Sequence, residues 1–274
     1  MKTIKFIIFL FIQTSLMFGL TYEPIEMKSG GMLGAGNLRF LFDWGYLENN
    51  SSDSSTFGFG IDFGLNEKID LQNRIKYLNY NSGSYDWHNW EEILKWKLGQ
   101  VSAGPAYAIG TGLAIPLHKN ESLGLIAGLY ISSAIKDIDF DFNAELSPFY
   151  LTYADLGKNP VTGIVRKERP SSIFNINLRL GYKIMPILKL AGGFELNQFF
   201  SGKIKYEKDN EEIETKEIPG GSAWNLILGA RLKPKGYPIL FDASISLGLS
   251  EKSPYDWRIK FGTQLQPQSP NAEW

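Results

Sequence analysis

The stretch Phe57-Gly58-Phe59-Gly60-Ile61-Asp62-Phe63-Gly64-Leu65 decides how this chain is read. Large apolar side chains alternate with glycine or a carboxylate, a period of two that belongs to a β-strand and not to a helix. One face of such a strand is bulky and greasy, and the other is small or charged. The pattern returns on both sides of it. Leu38, Phe40, Phe42, Trp44 and Tyr46 alternate with Arg39 and Asp43, and Ile69, Leu71, Ile75 and Tyr77 with Asp70, Gln72, Arg74 and Lys76. Leu94, Trp96 and Leu98 stand against Lys95 and Lys97, and Ile138, Phe140, Phe142, Ala144 and Leu146 against Asp137, Asp139, Asp141, Asn143 and Glu145. Phe174, Ile176, Leu178, Leu180 and Tyr182 alternate with Asn175, Asn177, Arg179 and Lys183, Ile239 to Leu247 keeps the period, and Trp257, Ile259, Phe261 and Leu265 oppose Arg258, Lys260 and Gln264.

Residues 106–117 and 123–133 alternate weakly, because Gly, Ala and Ser fill both faces. Residues 188–200 and 224–232 are apolar on both faces, and only Glu195, Asn197, Asn225 and Arg231 mark a wet side. Together the segments predict an all-β chain of about twelve strands, within a range of ten to fourteen. Asn66-Glu67-Lys68 and Met185-Pro186 read as tight turns, whereas residues 48–55, 79–90, 147–171 and 201–221 read as long polar loops. Short turns at one end and long loops at the other suit a barrel, and an even strand count puts both ends of the barrel chain on the short-turn side. No repeat period of 20 to 50 residues is present.

The chain has 274 residues, and its first segment is an address. Lys2 and Lys5 precede an apolar run over residues 6–20, and polarity returns at Thr21, Tyr22 and Glu23. That order of charge and apolar run predicts a signal peptide over residues 1–20. The run falls short of the roughly 20 residues a membrane-spanning helix needs. Residues 21–274 are then expected to form one domain ending in a short tail. The chain has no cysteine, which excludes disulfides, iron–sulfur clusters and thiol catalysis. With 28 basic and 29 acidic residues it carries no charge excess that would call for nucleic acid.

Alternation alone does not say which face points inward. Three features set the greasy face in lipid. The polar face holds many glycines and adjacent like charges such as Asp137, Asp139 and Asp141, beside unusually large aromatics. Trp and Tyr gather near strand ends, as at Trp44 with Tyr46, Trp87 with Trp90, Tyr255 with Trp257, and Trp224, in the manner of the aromatic belts of a membrane barrel. Strands of about ten residues match a bilayer crossed at a tilt and exceed the five or six usual in soluble sheets. The expected fold is a transmembrane antiparallel up-and-down β-barrel with Phe59, Phe140 and Phe261 turned toward acyl tails.

The signal segment, the alternating strands from Leu33 to Gln266 and the last strand Tyr255-Asp-Trp257-Arg-Ile259-Lys-Phe261-Gly-Thr-Gln-Leu265 resemble the outer-membrane β-barrel proteins of Gram-negative bacteria, porin-like in the broad sense. The resemblance implies residence in the cell outer membrane, contact with outer-membrane lipid, and folding by the barrel-assembly machinery, which reads an aromatic residue in the final strand. Here Trp274 lies beyond Pro267 and Pro270, so the assembly signal is the strand ending at Leu265 or an atypical tail.

Sites of chemistry are few. His88 and His118 are the two histidines, both in segments read as loops, and neither has the surrounding Ser and Asn or Asp pattern of a barrel hydrolase. No metal and no cofactor are expected, and the chain is expected not to be an enzyme. The glycines at 34, 36, 58, 60 and 64 are followed by no helix and so form no phosphate loop. The charge run over residues 207–217 reads as a solvated surface loop. The candidate functional residues are therefore the charges of the inner wall: Arg39, Asp43, Asp62, Asp70, Arg74, Lys76, Lys95, Lys97, Asp137, Asp139, Asp141, Glu145, Arg179, Lys183, Glu195, Arg258 and Lys260. Opposed acidic and basic walls shape the field of a pore for small solutes, or they pair across a narrow lumen and fill it, Asp137 to Glu145 against Arg179 and Lys183. A diffusion channel or small-solute transporter is expected, with a non-conducting structural or surface-interaction barrel as the alternative.

Overall fold

A strand whose flanks are not hydrogen-bonded leaves a row of N–H and C=O groups that hydrocarbon cannot satisfy, so a sheet in a membrane has to close on itself. The chain does this. The structure, a computed structural model, describes residues 33, 35–49, 52–80, 85–100, 105–117, 122–209, 211–251, 253 and 255–265. The expected signal segment at 1–20, His118 and the tail from residue 266 lie outside the described residues.

Among the described residues sixteen strands follow in order: β1 Leu38–Asn49, β2 Ser52–Asn66, β3 Ile69–Tyr80, β4 Tyr85–Gln100, β5 Ala106–Ile115, β6 Gly124–Ile135, β7 Ile138–Tyr150, β8 Ala154–Lys158, β9 Val165–Arg169, β10 Ile173–Met185, β11 Leu188–Phe199, β12 Gly202–Lys208, β13 Glu211–Ile218, β14 Gly221–Leu232, β15 Ile239–Gly248 and β16 Trp257–Leu265. Twelve of them form a closed antiparallel barrel, each pairing with its neighbour along the chain once β8, β9, β12 and β13 are set aside. The seam is β1 against β16, in register from Phe40↔Leu265 to Glu48↔Trp257.

The two faces carry opposite chemistry. Phe59 is 36% and Phe261 45% exposed on the outer wall, and Phe140 lies on that same wall, so the aromatics do not meet in a dry centre. Aromatic rings pack in pairs along the outside, Phe42 tilted on Phe59 at 5.2 Å, Trp44 stacked on Phe261 at 5.8 Å, Tyr46 tilted on Trp257 at 5.5 Å and Phe194 tilted on Trp224 at 5.2 Å between ring centroids. The buried side is polar, with Asp62, Asp70, Gln72, Lys95 and Asn225 almost wholly shielded.

The turns at Glu67–Lys68, Lys136–Asp137 and Pro186–Ile187 lie at one end, and the long connections from β7 to β10 and from β11 to β14 lie at the other. Ahead of β1, Leu33, Gly36 and Asn37 are tied to the short-turn end by hydrogen bonds. The Leu33 N–H donates to Asp70 Oδ2 at 3.1 Å, Asn37 Nδ2 donates to the Leu33 carbonyl at 2.7 Å, and the Gly36 N–H donates to the Gly64 carbonyl at 2.8 Å. Gly36 turns this corner at φ 74, a left-handed conformation that costs a residue with a Cβ far more than glycine.

The segments expected as loops are shorter or more ordered than their polarity implied. β1 and β2 remain paired out to Asn49↔Ser52, and β3 and β4 reach Tyr80 and Tyr85, so His88 is a strand residue. The two long connections each fold into a hairpin, β8–β9 and β12–β13, and β9 pairs with β12 to make a four-stranded sheet outside the barrel. The run over residues 207–217 is thus largely strand. Its charges alternate sides in water on both faces of a sheet, a pattern that hydrophobic periodicity does not register.

On the outer wall of β14, Leu228 is 51% exposed among apolar neighbours. Leu228→Arg is expected to destabilise the barrel by roughly 2–4 kcal/mol, the range for a cation near the bilayer midplane. Urea unfolding in lipid vesicles measures it, and the inner-wall change Ser246→Ala is expected to cost far less.

Candidate functional site

Because the period is two and the sheet closes, every second residue of twelve strands converges on one interior. The charges predicted for the inner wall meet there in separate groups. On β1, β2 and β3, Asp62 is wholly buried between two guanidinium groups. Arg39 Nε donates to its Oδ2 at 2.8 Å and Arg74 Nη2 to the same atom at 3.0 Å, and further ion pairs join Arg39 and Arg74 to Asp62. Gly60 makes room for this, since a Cβ there would lie 2.9 Å from Arg74 Cδ.

On β7, β10 and β11, Arg179 bridges Asp139, at 2.9 Å, and Asp141, while Lys189 Nζ meets Asp139 at 3.0 Å. The Ser132 hydroxyl of β6 donates to Asp141. On β14, β15 and β16, Arg231 donates to both oxygens of Asp242, at 2.6 Å and 2.9 Å, a two-point fit that holds the guanidinium in plane. Gln264 Nε2 donates to Asp242 at 3.3 Å.

Toward the long-loop end, the Tyr130 hydroxyl donates to Glu145 Oε2 at 2.6 Å. The ring lies flat on the wall because Gly110 has no Cβ, which would stand 2.9 Å from Tyr130 Cε2. Arg258 Nη2 donates to the Tyr255 hydroxyl at 2.8 Å with its guanidinium 4.2 Å from the ring centroid, and Asn225 Nδ2 donates to Glu195 at 3.0 Å. A small apolar cluster of Ile93, Ala114 and Ile126 interrupts the polar wall.

Asp70, Lys95 and Lys260 are buried on the same interior, and Lys97 and Lys183 are half-buried on it. Asp43 and Lys76 occupy inner-wall register positions, opposite Gly58 on β2, and their side chains lie outside the described residues. Asp137 is a correction: it sits in the turn between β6 and β7 and is exposed, because the hairpin closes one residue earlier than the alternation implied. Glu91, Tyr130, Lys189 and Asp242 are not singled out by sequence, and Tyr255, expected with Trp257 in an aromatic belt, is instead buried against Arg258. Asp242 obeys the alternation of β15 and was legible, whereas Tyr130 is apolar by type and follows an alanine- and glycine-rich strand with no register signal.

In the outer sheet, Lys205 Nζ donates to Glu212 Oε2 at 2.6 Å and Thr215 Oγ1 donates to Glu212 Oε1 at 2.6 Å. These hydrogen bonds hold the Glu212 carboxyl below its ordinary range, and the same contact to Glu212 raises Lys205. Tyr153 lies beneath Lys205 and Arg169, at 5.1 Å and 5.7 Å.

No family model matches the sequence, and no curated sequence matches it either. Among solved structures it is similar in fold to an outer membrane channel from Pseudomonas putida F1, at 11% identity and a TM-score of 0.60, over 88% of this chain and 99% of that one. It is also similar to the Pseudomonas putida toluene transporter TodX, at 7% identity and TM-score 0.47 over 91% of this chain and 98% of that one. A third is LpxR from Salmonella typhimurium, at 10% identity and TM-score 0.41 over 83% of this chain and 99% of that one. The chain has the fold of the Pseudomonas putida channel, a closed antiparallel β-barrel, here apolar outside and polar within. The expectation that the chain is not an enzyme is withdrawn, because a barrel of this fold does not by itself exclude catalysis.

Asp62→Ala leaves two guanidinium groups without their shared counter-charge, and a loss of about 3–5 kcal/mol is expected, as for other broken buried pairs; urea unfolding in vesicles measures it. The Glu212 contact has a definite sign with pH. A carboxyl held low in the folded state contributes above its unfolded pKa and loses that contribution as pH falls through the folded one. NMR of a Thr215-labelled protein is expected to show this corner of the sheet unchanged at neutral pH and loosening on acidification.

Proposed function

We propose that the barrel passes small polar solutes by diffusion across the outer membrane through its charge-lined interior. The observation that carries this is a set of buried polar groups that the protein leaves to water. Gln72 finds no protein partner for either amide atom, nor do Asn143 Oδ1, Asn225 Oδ1 and Ser246 Oγ, among the described residues. Buried groups of this kind are satisfied by water, and a dry plug would have paired or replaced them. Segregated ion pairs leave fields of both signs along the wall, suited to polar cargo rather than to an apolar one. The fold is one that an outer membrane channel also uses.

A second reading has its own support. Most inner side chains are shielded, and Arg39, Arg74, Arg179 and Arg231 are tied to carboxylates on adjoining strands. A lumen filled in this way makes a non-conducting barrel, whose outer sheet of β8, β9, β12 and β13 would then be its working surface.

Planar-bilayer recording on the refolded mature protein separates the two. Diffusion predicts stepwise conductance, with Asp139→Asn shifting selectivity toward anions and Lys97→Gln toward cations. A barrel that inserts but conducts nothing, and whose surface binding is lost on deletion of residues 147–171, sinks the channel and establishes the second reading.

A further inference from the structure

At one row the outer wall departs from the rule that the rest of it obeys. On β4, Glu91 and Ile93 are buried in the interior, and Glu92 between them is exposed on the outside. Its cross-strand neighbours face the same way: Asn73 of β3 on one side and Leu113 of β5 on the other. The row lies within the apolar band. Leu71, Leu94 and Thr111 stand one step toward the short-turn end, and Ile75, Trp90 and Ile115 one step toward the other. Away from the strand ends, no other charged side chain among the described residues of the barrel strands faces outward.

A carboxylate turned toward acyl chains alone has nothing to accept from, and hydrocarbon penalises it. Within the chain, the Glu92 side chain makes no hydrogen bond or ion pair with a described residue. Asn73 uses its carbonyl, accepting from Trp90 Nε1 at 3.4 Å, which leaves its amide N–H groups as the donors of the row. An acceptor and a donor therefore stand side by side on paired strands, ringed by Leu71, Ile75, Leu94, Leu113 and Trp90.

We propose that this row is the centre of a two-fold interface between two copies of the chain within the membrane. A two-fold axis along the membrane normal, passing between β3 and β4, sets Asn73 of one copy against Glu92 of the other, and does so twice. The contact is isologous, with one patch serving both sides, and polar side chains that pair across it hold spans together where apolar packing alone discriminates little. Other occupants fit less well. Acyl chains satisfy neither group, a lipid phosphate repels Glu92, and a basic protein would satisfy Glu92 while leaving the Asn73 donors without an acceptor.

The absence of cysteine makes the test clean. Full-length Asn73→Cys and Glu92→Cys proteins of different tagged mass are refolded together in vesicles and oxidised. The expected product is a mixed disulfide dimer, whereas Leu228→Cys, on β14 across the barrel, stays monomeric at the same density. Sedimentation in detergent supplies the reading without thiols: the native chain is expected to dimerise, and Glu92→Leu, whose side chain suits the wall and so should fold, to self-associate at least about tenfold more weakly. A native chain that is monomeric throughout, a Leu228→Cys cross-link as efficient as the mixed one, or a Glu92→Leu protein that dimerises as well as the native chain each overturns the proposal.

Discussion

The structure depends on one constraint: in hydrocarbon every backbone N–H and C=O must find its partner inside the protein. A twelve-stranded sheet meets it only when β1 returns to β16, and the seam is paired residue by residue from Phe40 to Glu48. Closure then assigns the faces. With no edge left, a strand has only an outside and an inside, and the period of two sends Phe57, Phe59, Ile61 and Phe63 to one and Gly58, Gly60, Asp62 and Gly64 to the other. The hydrophobic effect that would bury these aromatics in water finds them already solvated by lipid, so the interior is free to be polar.

A polar interior brings its own requirement. Ionised groups shielded from water are stable only when paired and hydrogen-bonded, and the wall meets this between strands. Asp62 is shared by arginines from both adjoining strands, Arg179 spans two aspartates of β7, and Arg231 meets Asp242 across the β14–β15 pair. Glycines opposite these groups are part of the same solution. At Gly60 and Gly110 the absent Cβ is the space in which a guanidinium or a phenol lies along the wall. The buried polar atoms that the wall leaves unpaired among the described residues, on Gln72, Asn143, Asn225 and Ser246, are groups of the kind that water satisfies.

Outside the membrane the constraint lifts and the chain behaves differently. The two longest connections, the second of them rich in Lys and Glu, make a sheet exposed to water, tied by β9 to β12 and by contacts such as Lys205 with Glu212. Hydrophobic periodicity recognises a strand by its apolar face, and a sheet wet on both sides has none, so these stretches read as irregular loops. The same blind spot hid Glu92. Beside Glu91 it looks like half of a solvated pair, and only the burial of its neighbours shows that one of the two faces the lumen and the other the lipid.

The sequence by itself determined that this chain alternates with a period of two, that the alternation separates large aromatics from glycines and charges, and that there are strands enough for one barrel. Those are local properties, set by where successive Cβ atoms point along an extended backbone. Register and closure settled the rest: that Asp139 meets Lys189 as well as Arg179, that Asp137 falls in a turn, that residues far apart in the chain share Asp242, and that the polar loops pair with each other. Such contacts join strands whose relative offset no single segment encodes. They exist only once twelve strands have fixed one another's positions around a common axis.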